Sequence, residues 1–142
     1  MKDKKNVMIT LVSKQSEGDE TTQTELITEG WLKKTADGFM ISYDETEVTG
    51  FVGSTTTLTT VGDSCVTMER KGTATSQLII EKNKKHHCHY GTPYGDFMVG
   101  VTTNSIVSAL SEKGGKLAFE YVIDINSSYV GNYAIDVDIR AN

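Results

Sequence analysis

A phenol, a carboxylate and a guanidinium recur in this chain at spacings that could bring them together. Tyr43 and Glu45 stand two residues apart, at the end of a run in which Phe39 and Ile41 share their parity. Arg70 closes a similar run and shares the parity of Val66 and Met68. If both runs are strands, all three polar groups project from apolar faces, near the end of an enclosed interior. A charge in such a place needs a partner. One reading is a polar patch at the mouth of a cavity that orients the head group of a ligand. The other is a structural ion pair closing one end of the fold. Buried ion pairs commonly serve structure without any activity, which favours the second.

A second constellation is His86-His87-Cys88-His89. Imidazole and thiolate are good ligands for zinc and related metals. On a strand His87 and His89 share one face, while His86 and Cys88 share the other. Two ligands per face do not make a closed site, so His87 and His89 are weak metal candidates and the expected assignment is a solvated edge strand. The same alternation keeps the Cys88 thiol away from its adjacent rings, which argues against a Cys–His nucleophile pair. Thr92-Pro93-Tyr94-Gly95 reads as a turn: proline presets φ, glycine permits a tight bend, and Tyr94 can cap an open end. There is no phosphate-binding glycine loop, no nucleophile elbow and no His-Glu-x-x-His. No catalytic set or cofactor motif is visible, and an enzyme is the least favoured class.

The elements that must position these residues show period two, the mark of half-buried strands. Leu117, Phe119, Tyr121, Ile123 and Ile125 fall on one face of a segment. Tyr133, Ile135, Val137 and Ile139 fall on one face of the next, after the turn Asn126-Ser127-Ser128. Val7, Ile9 and Leu11, then Phe39 and Ile41, then Phe97, Val99 and Val101 follow suit. Thr22 to Lys34 suits a long strand or a short amphipathic helix. Ser105 to Lys113 has plausible helix caps, but its Ile106-Val107-Ser108 centre suits a strand better. The threonines at 55, 56, 57, 59 and 60 suggest a strand with a solvated face. Turn signals recur about every ten residues, the spacing of a sandwich or barrel. Closure into one antiparallel meander barrel of about eight to ten strands removes the exposed edges a flat sheet would leave. Phe39, Tyr43, Phe97, Phe119, Tyr121 and Tyr133 point inward on this reading. They would pack the interior or line a cavity.

The 142 residues fit one domain, spanning 1–142, with 1–5 expected to be loosely ordered. At 37% hydrophobic and 23% charged, the chain suits a globular domain able to bury a core. A net charge of −5 speaks against nucleic acid or an anionic membrane as partner. The charged start and the short, threonine-containing run after it do not resemble a signal peptide, so a cytoplasmic location is expected, with Cys65 and Cys88 reduced. Trp31 and Ile27 are candidates for an exposed surface that could support a homodimer.

Tyr43-Asp44-Glu45, Arg70-Lys71-Gly72 and Thr92-Pro93-Tyr94-Gly95, in that order and spacing, resemble the YwiB-like family of uncharacterised bacterial proteins. The resemblance runs from about Val7 to Ile139. It implies a lipocalin-like (calycin-type) β-barrel in a bacterial cytoplasmic protein. It supplies no activity, so no catalytic residue is carried over. The expected function is a barrel that holds a small, partly apolar molecule. Tyr43, Glu45, Arg70, Tyr94, Phe119 and Tyr121 are the candidate binding residues at its interior or mouth. The alternative is a structural or homodimerising barrel without a ligand.

Overall fold

The computed structural model describes residues 4–48, 51–73, 75–92 and 95–141. Ten strands follow one another: β1 (Lys4–Glu17), β2 (Glu20–Lys34), β3 (Phe39–Asp44), β4 (Ser54–Val61), β5 (Cys65–Gly72), β6 (Ser76–Glu81), β7 (Lys85–Thr92), β8 (Gly95–Ser111), β9 (Gly114–Ile125) and β10 (Ser128–Ala141). Each pairs antiparallel with its sequence neighbour, and β1 also pairs with β10, closing a meander barrel. Closure is what separates this fold from a sandwich, and no strand is left with an unpaired edge. Both ambiguous segments resolve as strand: Thr22 to Lys34 lies within β2, and Ser105 to Ser111 completes β8. Among the described residues no helix is long and apolar enough to cross a membrane.

Alternation decides which side chains fill the interior. Ile9, Ile41, Val66, Ile80, Val101 and Phe119 are wholly buried, and Leu117, Val137 and Ile139 nearly so. Burying each such side chain contributes about 1.5–3 kcal/mol. The β9–β10 turn has Asn126 and Ser127 at positive φ (53° and 68°), a geometry matched to the right-handed twist of a hairpin. The C-terminal ends of β1, β3, β5, β7 and β9 lie at one end of the barrel, and their N-terminal ends at the other.

Of the stretch 1–5 expected to be loosely ordered, residues 1–3 lie outside the described residues, and Lys4 and Lys5 pair with Lys33 and Leu32 in the β1–β2 ladder. Three expectations need correction. The His86 to His89 segment is no edge strand. It is a stave of the wall, paired to β8, with Cys88 buried. Phe97 keeps the inward parity but is 43% exposed, because it sits near the tip of the β7–β8 hairpin. The β4 threonines do not only face water. Leu58 carries Thr56 and Thr60 inward with it, and both are buried.

Candidate ligand-binding site at one end of the barrel

Register, which the sequence does not state, lays the polar side chains out as a girdle. Tyr43 on β3 stands opposite Thr56 on β4, Thr56 opposite Arg70 on β5, Arg70 opposite Ser76 on β6, and Ser76 opposite Tyr90 on β7. On the far side of the barrel Tyr121 on β9 stands opposite Tyr133 on β10. Their rings stack with centroids 5.3 Å apart, and Phe119 stacks beneath Tyr121 at 6.1 Å. Offset stacks of this kind add about 0.5–1.5 kcal/mol beyond area burial.

The charged centre is Glu45 with Arg70. Glu45 follows the last residue of β3, where its backbone N–H donates to the Ser54 carbonyl at 2.8 Å. That bond holds its side chain inward beside β4. Arg70 Nη2 lies 3.4 Å from Glu45 Oε2, and the Thr56 hydroxyl donates to the same oxygen. Both charged side chains are withdrawn from water, with Arg70 9% exposed. Phe51, in the connection from β3 to β4, lies over the guanidinium carbon with its ring centroid 3.7 Å away. The Arg70 Nε has no hydrogen-bond partner among the described residues.

Burial pushes the Tyr43 hydroxyl well above the ordinary tyrosine value, and the Glu45 carboxylate beside it adds to the rise. Burial raises Tyr121 in the same way, with the Tyr90 hydroxyl as a lesser cause. Tyr133 is raised by burial and by Glu17, to which its hydroxyl donates at 3.1 Å. These three phenols stay protonated across physiological pH and remain able to donate.

The girdle encloses a cavity of about 140 Å³. Of the candidate residues, Tyr43, Glu45, Arg70 and Tyr121 line it. Phe119 does not; it lies deeper, fully buried, and forms the packed floor. Tyr94 and Pro93 fall outside the described residues. Tyr133, placed inward by its parity but not among the candidate binding residues, lines the cavity too; sequence reasoning missed Ser76 and Tyr90, which also line it, and Thr56, which holds Glu45. Parity with Leu58 was the available signal for Thr56, and parity with Leu78 the one for Ser76. The interior is packed around Phe119, with this cavity toward one end, and a second hollow lies at the other end beside Phe39 and Thr60.

The histidines do not join it. The His86 Nε2 meets Glu81 Oε1 at 2.8 Å, and His89 Nε2 lies 3.4 Å from Asp96 Oδ2. His87 is exposed on the outer face, opposite Gly100. Among the described residues no three His, Cys, Asp or Glu side chains converge as a metal would require. Cys65 and Cys88 are free thiols. The Cys88 sulfur accepts the Ile79 N–H at 3.4 Å, and burial raises its pKa, so it is a poor nucleophile.

Residues 9–137 match the family described as Domain of unknown function (DUF1934). Among solved structures the chain is similar to the ywiB protein from Bacillus subtilis, with a TM-score of 0.80 at 18% identity, over 97% of this chain and 94% of that one. At that identity the likeness establishes the fold alone. No curated protein matches the chain.

Proposed function

Since the chain belongs to the DUF1934 family, a premise that fixes a barrel but no activity, we propose that it binds one small, partly apolar molecule in the cavity beside Arg70. The observation that carries this reading is the cavity itself. Leu11, Met68, Leu78 and Ile135 give it an apolar body, and a few convergent polar groups sit at one wall. Its volume is close to that of an engineered apolar cavity of about 150 Å³ that accepts benzene. A calycin-like barrel acting in the cytoplasm as a carrier or sensor of such a molecule fits the free cysteines and the negative net charge. Among the described residues no set supports catalysis, so the reading is a binding module.

Native mass spectrometry of freshly purified protein tests it, together with saturation-transfer NMR using single-ring aromatic probes. The expected result is a bound small molecule, or a probe signal that Thr24→Trp abolishes by obstructing the cavity mouth. Probe signals unaffected by Thr24→Trp would place binding elsewhere.

The second reading, a barrel that pairs with another copy, is favoured by a hollow of about 500 Å³ on the outer wall. Val12, Val107, Ala109 and Ala118 line it, and Ile27, 62% exposed, extends the apolar surface beyond it. Light scattering showing only monomer would remove that reading.

A further inference from the structure

We propose that the cavity selects uncharged, ring-sized molecules carrying a hydrogen-bond-accepting oxygen such as a carbonyl, and that Glu45 imposes this choice by neutralising Arg70. The inference rests on the ligand-binding reading above and names the class of molecule that the site takes.

The wall is rich in donors. A guanidinium carries five N–H groups in one plane. Arg70 directs Nη2 to Glu45 in a single 3.4 Å contact rather than a two-point fork, and its Nε meets no acceptor among the described residues. Phe51 occupies the space over the guanidinium carbon, so further hydrogen bonding falls to the edge of the group. The Tyr121 hydroxyl, protonated throughout the physiological range, stands near the same guanidinium, while the Tyr43 hydroxyl is engaged by Glu45 and Thr56. A ligand oxygen that accepts here meets a donor that otherwise has no partner among the described residues.

Charge decides what kind of oxygen. Among the described residues lining the cavity, Arg70 and Glu45 alone carry formal charge, and they cancel. Glu45 is held at Arg70 by the Thr56 hydroxyl as well as by the ion pair. A carboxylate ligand would shed its hydration to enter a pocket whose charges already sum to zero, beside a carboxylate of its own sign. An ammonium would meet Arg70 in the same way. Both leave a net charge where water is scarce, and like charges in contact are strongly disfavoured. An uncharged carbonyl uses the donors and adds no charge.

The test ranks four probes of one ring size against the intact protein by saturation-transfer NMR and calorimetry: benzamide, benzoate, benzylammonium and toluene. Benzamide is expected to bind best, with both ions weaker by about tenfold or more. Toluene is also expected to be weaker, because it leaves the donors unmet. Glu45→Gln keeps an acceptor for Thr56 but uncovers the Arg70 charge, and it should reverse the order so that benzoate overtakes benzamide. If that variant does not fold, the wild-type ranking decides. Benzoate binding as tightly as benzamide, or toluene matching benzamide, would overturn the selectivity while leaving the cavity a binding site. Failure of all four probes would overturn the binding reading itself, and this inference with it.

Discussion

At the residue scale, the Glu45–Arg70 pair bears on both the stability of this end of the barrel and the proposed binding. Its two side chains are nearly dry, and each is tolerable inside the barrel because the other is present. Arg70→Ala removes the guanidinium that faces the buried Glu45 carboxylate. The expected loss is about 3–5 kcal/mol in denaturant unfolding. Replacing both partners, Arg70→Met with Glu45→Gln, should recover most of that loss, because no unpaired charge remains. A single Arg70→Ala variant as stable as wild type would show that the pair contributes nothing to stability. The phenol at Tyr43, the carboxylate and the guanidinium were all legible in the sequence as inward-facing, since each extends a run of alternating apolar residues. Their partner Thr56 was not, because a threonine-rich strand gives weak contrast between its two faces.

At the scale of the element, the strands carry information in their exceptions. Gly30 interrupts β2 on its inward face, opposite Tyr43. A side chain there would meet the Ser42 carbonyl oxygen and come within 2.6 Å of Ile9 Cδ1. The missing Cβ lets β3 and the Ile9 side chain close in on β2, just below the girdle. Gly30→Ala should cost about 1–3 kcal/mol through overpacking, seen as a lower denaturation midpoint with unchanged slope. An unchanged midpoint would mean that the wall yields more easily than this packing suggests. β7 shows how an element can be read in the right conformation and placed wrongly. Its polar His-rich composition suggests an edge, yet the ring of strands leaves no edge to occupy. Cys88 turns inward between Leu78 and Val99 positions that the sequence keeps far apart.

At the scale of the whole molecule, closure concentrates the tyrosines in one low-dielectric end, and this gives the protein an alkaline limit. Tyr43, Tyr121 and Tyr133 have folded-state pKa values above the unfolded value of about 10. The folded state therefore prefers their protonated forms. The stability they contribute is fully present below pH about 10 and is lost as pH rises from there toward their folded values. In an ultraviolet titration these phenols should ionise together with loss of the barrel's circular dichroism. All six tyrosines titrating smoothly near pH 10, with the fold intact, would contradict that coupling.

The order of residues by itself determined the strands and most of their inward faces, because a period of two is a local property of a pleated backbone, while barrel and sandwich both stayed open until the closing β1–β10 pair was seen. It also placed Tyr43, Glu45, Arg70 and Tyr121 on the inside, each by the parity of its own strand. Only the tertiary structure decided the site. The girdle from Tyr43 through Thr56, Arg70 and Ser76 to Tyr90 depends on the register of four successive strand pairs. A register shift of one residue in any pair would turn the next strand's side chains to the other face. Where the cavity lies, and that Phe119 serves as floor rather than wall, follows from how ten staves of unequal length fill a shared interior. That is a sum over contacts between residues distant in the chain, and no local pattern contains it.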